Sequence, residues 1–429
     1  MTAEETPASS NDDETTQAQT TTEVTTDATT DSQEATPATE ALEWHAPVLV
    51  RIDEHTTIPH LLKERVQRGA TRPLILRKIG IGDTWRSITA REFYDEVHAL
   101  AAGLIARGLE PGDRVAIMSR TRYEWTLLDF ACWAAGLVPV PIYETSSIDQ
   151  VAHVLVDADV HLIITETVSM AEIVRAAAER ENRDNTHVLS LDSEAIETLI
   201  AEGSTTPRER VLARSEALTK DDIATIVYTS GTTGTPKGTV LSHENFTNLC
   251  LNAHAWMPEI AAGKNSRLLL FLPLAHVFAR FLQVFQISGN GVLGHAPNIK
   301  NLLPDLVSFK PSYLLVVPRV LEKIYNSADT KARGPKQKIF RWAAKVAIAY
   351  SQALDTEEGP TASLKAQHAL ADKLVYQQII RLVGGNADYI VSGGAPLAPW
   401  LAHFYRGVGI PVLEGYGLTE TVGPVSVNT

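Results

Sequence analysis

Tyr228-Thr-Ser-Gly-Thr-Thr-Gly-Thr-Pro-Lys-Gly238 places three glycines, four threonines, one serine and one lysine within eleven residues. Glycine lets a backbone turn sharply and bring its N–H groups against phosphate oxygens. Hydroxyls add donors or a metal ligand, and the lysine adds positive charge. The stretch reads as a triphosphate cradle with Thr229, Ser230, Gly231, Thr232, Thr233, Gly234 and Lys237 as its candidate contacts. It is not the P-loop of the common NTPases, because Pro236 precedes the lysine and Gly238, not Ser or Thr, follows it. A plain glycine-threonine turn is the simpler alternative. Against it, the apolar run Ile223–Tyr228 leads in as a buried strand and Thr239–Ser242 leads out as another, so the loop lies between two strands.

Outward from this loop, the chain of 429 residues is long enough for a large core and for two or three structural units. Its formal charge of −13 is concentrated at one end. Residues 1–43 carry eleven Asp and Glu and no Lys or Arg, which leaves 40 acidic against 38 basic residues, a net of −2, in the remainder. A nearly neutral body offers no basic stripe for a nucleic acid and no lysine cluster for electrostatic docking on a membrane. The first 43 residues are Thr, Glu, Asp, Ser and Ala with few large apolar side chains. They cannot bury enough surface to offset the entropy of ordering, and read as a disordered tail before a body spanning 44–429. A basic start followed by an apolar signal stretch is absent, as is any run of about 20 apolar residues. The expected location is the cytoplasm, with peripheral membrane contact left open. Cys132 and Cys250 fit neither a zinc spacing nor a disulfide framework and read as small buried hydrophobes.

Short apolar runs alternate with amphipathic stretches from Ile58 onward. Thr89-Ala-Arg-Glu92 is a capping box that opens a helix toward Arg107, and Gly108–Asp113 turns into a strand at Arg114–Met118. A helix over Tyr123–Ala135 and strands at Val138–Ile142 and Leu162–Thr165 follow. Beyond the phosphate loop, strands are expected at Arg267–Leu272, Tyr313–Val317 and Tyr389–Val391, with a helix at Pro399–Arg406. Lys336–Leu382 reads as two helices broken near Glu358-Gly-Pro360. This order predicts an α/β architecture with largely parallel sheet.

Four further segments stand in order with the loop: Leu272-Pro-Leu-Ala-His-Val-Phe-Ala-Arg280, Val316–Tyr325, Ser392-Gly-Gly-Ala-Pro-Leu397 and Glu414-Gly-Tyr-Gly-Leu-Thr-Glu-Thr421. Together they resemble the acyl-adenylate-forming superfamily, and within it the long-chain fatty acid:CoA ligases, over about Ile58 to the end. The resemblance implies a large N-terminal domain of stacked mixed sheets with flanking helices. It implies ATP, Mg²⁺ and CoA as co-reactants, with a fatty acid, ATP and CoA as small-molecule partners; oligomeric state stays open. Residue by residue, it makes Glu420 the metal ligand with Thr229 as a second metal-side oxygen, and Thr419 a phosphate-contacting hydroxyl. Gly415 and Tyr416 lie on the adenine side, the tyrosine ring covering the base, and Gly393, Gly394, Ala395 and Pro396 face the purine. His276 is placed near the acyl carboxylate. The bland readings are a solvated glutamate, a strand-to-helix turn and a core histidine. Ala279 stands where many relatives carry glutamate, so no role of that acid transfers.

Making a thioester from a carboxylate needs a better leaving group than hydroxide, which attachment of AMP supplies before a thiol attacks. Two anions must meet, so the site has to neutralise charge at the α-phosphate. Between Leu268 and Pro304 there is no Asp or Glu to pair with a substrate ammonium, which favours an apolar acyl chain over an amino acid. The expected activity is formation of acyl-AMP and then acyl-CoA from a long-chain fatty acid. The alternatives are an enzyme that adenylates another carboxylic acid, or a catalytically silent nucleotide-binding remnant. The sequence stops at Thr429, before positions matching the family's ribose-binding aspartate, hinge and C-terminal lysine. The expectation for this chain alone is therefore a missing small C-terminal domain and failure to complete acyl-CoA synthesis.

Deleting residues 1–43 is expected to leave the folding and ligand binding of the body unchanged, because the tail has little apolar surface to dock. Hydrogen exchange checks this, and slow-exchanging amides within Met1–Glu43 would show that the tail packs.

Overall fold

A computed structural model describes residues 47–80, 83–183, 185–229, 235–261, 263 and 266–428. The acidic tail and the loop tip Ser230–Gly234 lie outside the described residues. Within Val48–Thr429 the chain forms one compact unit built on three four-stranded sheets and a two-stranded hairpin.

The all-parallel sheet has the spatial order Val138–Ile142, Arg114–Met118, Val160–Thr165, His187–Ser190. Its two central strands read as continuous apolar runs because helices cover both faces. A second sheet pairs Trp85–Thr89 antiparallel to Pro73–Lys78, and then Pro73–Lys78, Val292–His295 and Arg267–Leu270 in parallel. The third joins Tyr313–Val316, Tyr389–Ser392 and Val412–Leu418 in parallel and ends on the antiparallel strand Gly423–Val427. The second and third sheets meet where the Arg267 N–H donates to Ser312 Oγ at 2.9 Å and the Ser312 N–H to Arg267 O at 3.0 Å.

The elements named from the sequence are present, several with shifted ends. Thr89 caps its helix through a reciprocal box, its Oγ1 accepting from the Glu92 N–H at 3.2 Å while Glu92 Oε2 accepts from the Thr89 N–H at 2.7 Å. The predicted strand ends at Leu272 and Val317 fall earlier, at Leu270 and Val316. Pro273 and Pro318 restrict the residues before them and carry no ladder donor. Lys336–Leu382 does contain two helical stretches, Pro335–Ala353 and Ala362–Leu382. The second passes through a π turn at Asp372–Tyr376, which composition does not signal.

Two helices are buried nearly all round. Tyr123–Ala134 is buried at every residue, and Val277–Ser288 at all but Phe278. Most polar side chains buried in such helices are hydrogen-bonded. Arg280 and Asp129, at 0% and 1% side-chain exposure, form a fork of Nη2 to Oδ1 at 2.7 Å and Nε to Oδ2 at 3.2 Å. Gln283 Nε2 donates to Asp129 Oδ2 at 2.6 Å, and Thr126 Oγ1 donates to Gln283 Oε1 at 2.9 Å and meets His295 Nε2 at 2.7 Å. Arg280 Nη1 also donates to Thr225 Oγ1, whose hydroxyl donates to Pro139 O at 2.6 Å. Five segments are thereby tied: both buried helices, the phosphate hairpin, the edge of the parallel sheet and the second sheet. Burial pushes the Asp129 carboxyl up, against the opposing pull of Arg280 and Gln283.

Truncating one member of this pair is expected to cost far more than replacing both. Asp129→Ala should lose about 3–5 kcal/mol, because it strands a buried guanidinium, whereas Asp129→Leu with Arg280→Met should recover part of the loss. Urea unfolding midpoints measure both. A single variant within about 1 kcal/mol of the parent, the spread of an ordinary mutation, would remove the network from its structural role.

His243 and His295 are buried, and desolvation lowers both from the usual 6.5 to about 4. The folded state binds fewer protons than the unfolded chain, so their contribution is fully present above pH 6.5 and is lost as pH falls toward 4. Stability should drop by up to ~1.4 kcal/mol per pH unit for each histidine across that window. An unfolding midpoint that stays constant between pH 7.5 and 5 would refute this.

Candidate functional site

The phosphate stretch forms an antiparallel hairpin in which Ile223–Thr229 pairs with Lys237–Ser242, with Tyr228 opposite Gly238 and Thr229 opposite Lys237. The outgoing strand begins two residues before the predicted Thr239. Lys237 is therefore an exposed strand residue in register with Thr229. Cross-strand pairing places the two side chains on the same face of the ribbon. Ser230, Gly231, Thr232, Thr233 and Gly234 lie outside the described residues.

Thr419 and Glu420 sit on a single 3₁₀ turn, Thr419–Thr421, between the strands Val412–Leu418 and Gly423–Val427. The turn is tight. Thr421 Oγ1 accepts from the Leu418 N–H at 3.0 Å and donates to Gly423 O at 2.8 Å. A Cβ on Gly417 would lie 1.8 Å from Gly423 O, so this position admits no side chain. Val422 has φ 65°, a left-handed value that is costly for a β-branched residue. Its side chain is 2% exposed within the core, and that burial offsets strain of order 1–3 kcal/mol. The result is a fixed platform that presents Thr419 and Glu420 outward.

Gly393 and Gly394 follow the strand Tyr389–Ser392. The Gly393 N–H donates to Val316 O at 3.1 Å, and the Leu397 N–H donates to Glu414 Oε1 at 3.0 Å. Glu414 thus fastens the glycine turn to the strand that carries Gly415 and Tyr416. Sequence reading quoted this residue without assigning it a task, since nothing local signals a partner 17 residues away.

His276 is the N-cap of Val277–Ser288, and its Nδ1 accepts from the Phe278 N–H at 3.2 Å. That bond places the ring proton on Nε2. Desolvation lowers the pKa of the imidazole, and the positive end of the helix adds to the preference for the neutral form. A neutral ring with Nε2–H unused by the cap can donate to an anion.

A cavity of about 680 Å³ brings these parts together. Thr229, Lys237, His276, Gly393, Gly394, Gly415, Tyr416, Thr419 and Glu420 all line it. Ala395 and Pro396 do not; they lie exposed on the turn beyond the two glycines. The remaining wall is apolar and includes Met257, Phe278, Phe281, Leu282, Phe285 and Leu315. Phe278, Phe281, Leu282 and Phe285 recur at three- and four-residue spacing, so one face of the buried helix forms this wall. Arg280 and Gln283, on its other side, join the polar network. Glu420 is the one carboxylate among the described lining residues. At the back, Tyr313 donates its hydroxyl to Gln286 Oε1 at 2.6 Å, and His254 packs its ring on Phe285 at 4.6 Å.

Among the described residues there is no cluster of three or more His, Cys, Asp or Glu able to enclose a metal ion. A carboxylate and hydroxyls lining one cavity suit Mg²⁺, which takes one or two protein oxygens beside phosphate and water. No described helix is long and apolar enough to cross a membrane. Both cysteines are buried, and burial raises their thiol pKa.

Residues 62–429 match the family described as AMP-binding enzyme. The chain is 41% identical over 389 residues to the long-chain-fatty-acid–CoA ligase FadD15 of Mycobacterium bovis, covering 90% of this chain and 64% of that protein. It is 40% identical to FadD15 of Mycobacterium tuberculosis, with the same coverage. It therefore spans 64% of the length of these relatives. Among solved structures, the N-terminal domain of FACL13 from Mycobacterium tuberculosis superposes with a TM-score of 0.62 at 22% identity, covering 86% of this chain and 78% of that one. The Klebsiella oxytoca NpsA N-terminal subdomain, in complex with 3-hydroxyanthranilyl-AMSN, gives 0.61 at 20% identity, covering 87% and 75%. At these identities the structural likeness bears on the fold, that of the N-terminal domain of adenylate-forming enzymes.

Proposed function

This chain is a member of the AMP-binding enzyme family, and from that premise we propose that it binds ATP and a long-chain fatty acid for formation of acyl-AMP and pyrophosphate. Attack of CoA then releases acyl-CoA and AMP. One observation carries the reading: a single cavity is lined both by hydroxyls, a lysine and a glutamate and by a wide set of aromatic and aliphatic side chains. An alkyl chain matches the apolar wall. A free amino acid would leave its ammonium without a counter-ion there. The names of the 40% and 41% identical relatives point the same way.

The roles follow from position. Lys237 and Thr229, facing each other across the hairpin mouth, attract and orient the outer phosphates. Thr419 adds a hydroxyl toward the phosphate chain, and Tyr416, 63% exposed at the rim, offers a ring face to adenine beside Gly393, Gly394 and Gly415. His276 donates Nε2–H to the fatty-acid carboxylate and turns one oxygen toward the α-phosphate, holding the acid where attack is in line. Glu420 and Thr229 would hold Mg²⁺, which supplies positive charge to the phosphate oxygens when bound. The apolar wall excludes water that would otherwise hydrolyse an acyl-AMP. We read residues 1–43 as an appendage to this adenylation domain, and the protein as cytoplasmic.

Carboxylate-dependent exchange of pyrophosphate into ATP tests the assignment. Lys237→Ala should weaken exchange about tenfold, the scale of one charge-assisted contact. Glu420→Ala should lower it by roughly 10²–10³-fold, the scale of a group that acts on developing charge. Palmitate should drive exchange better than amino acids or aryl acids. Parent-rate exchange by Glu420→Ala at limiting Mg²⁺ would refute the metal assignment.

A further inference from the structure

The phosphate hairpin is held from outside by the helix Ile148–Asp157, whose residues lie more than 70 positions upstream. His153 Nε2 lies 2.7 Å from Pro236 O, so the ring N–H donates to the carbonyl just before Lys237. On the incoming strand, the Tyr228 hydroxyl donates to Asp157 Oδ2 at 2.6 Å. The two contacts share a surface: the His153 and Tyr228 rings meet edge to face, with centroids 5.7 Å apart and an interplanar angle of 84°. Gly238 makes room for this arrangement. A Cβ there would lie 3.2 Å from Tyr228 Cζ and 2.8 Å from Ile226 Cγ2, so a larger residue would displace the tyrosine ring.

The helix is itself a firm support. Val151, Ala152, Val154 and Leu155 are buried, and Ser147 caps its N-terminus through a reciprocal box with Gln150. Ile226 and Tyr228 pack against the same apolar cluster. The hairpin is thus fastened on both sides of its connecting segment, at Tyr228 on entry and at Pro236 on exit. Thr229 and Lys237, which line the cavity, each adjoin one of these two fastened residues, so their placement depends on the two contacts.

We propose that His153 and Asp157 are positioning residues for Lys237 and Thr229 of the hairpin, acting through Pro236 and Tyr228 and touching no substrate themselves. The inference rests on the reading of the hairpin as an ATP site, and it gives Tyr228 and Gly238, the two ends of the motif, a task separate from phosphate contact.

Calorimetric titration of the full chain with Mg·ATP, alongside thermal unfolding, tests it. His153→Ala and Tyr228→Phe should each weaken ATP binding by roughly 2- to 10-fold, the scale of one lost hydrogen bond. His153→Gln keeps an N–H donor and should return affinity to near the parent value. The KM for the carboxylic acid should stay unchanged, a split that general destabilisation would not give. Lys237→Ala serves as the reference for loss of a direct contact. If Lys237→Ala weakens binding while His153→Ala and Tyr228→Phe bind ATP as the parent does, the positioning role is refuted even if both lower the melting temperature. A parent chain that does not bind Mg·ATP strikes the functional reading, and this role with it.

Discussion

The buried fork between Arg280 and Asp129 is the constraint from which the architecture of the site follows. Neither charge reaches water, and an isolated ion in such a place costs several kcal/mol. The pair is tolerated because its remaining donors and acceptors are met by Gln283 and Thr225, and through them by Thr126, His295 and Pro139. Geometry of this kind is unforgiving. A fork of charge-assisted hydrogen bonds adds geometric specificity as well as energy, so the network sets where five segments lie relative to one another.

The helix Val277–Ser288 is the member that carries this rigidity to the cavity wall. One side holds Arg280 and Gln283 in the network, and the other presents Phe278, Phe281, Leu282 and Phe285 to the cavity. Its N-terminus carries His276 with the cap bond that leaves Nε2–H available. Because Arg280 also grips Thr225 on the strand that leads to the phosphate loop, the apolar wall and the hairpin belong to one fixed frame. Two substrates that must meet with reacting atoms in line gain most from such a frame.

Strain appears where function is proposed. Val422 adopts a left-handed backbone, and Gly417 lies too close to Gly423 O for any side chain. Both features shape the turn that carries Thr419 and Glu420. The buried valine side chain and the Thr421 hydrogen bonds stabilise a conformation that the local sequence does not favour.

By itself the sequence determined the α/β character, the Thr89–Glu92 cap and the two strands that flank the phosphate motif. Those features are written locally: Thr89 and Glu92 are three residues apart, strand runs have a short period, and the phosphate motif is contiguous. It did not show which side of the cavity-facing helix would be polar and paired. Only the tertiary structure decided that Lys237 lies opposite Thr229 in a strand and that Ala395 and Pro396 lie off the cavity wall. Likewise, it alone showed that Glu414 fastens the glycine turn and that His153 and Asp157 hold the hairpin. Each of these depends on groups brought together across long stretches of chain. A lone histidine or aspartate on a helix has no periodicity or motif to mark it, and its role exists only once packing has chosen its neighbour.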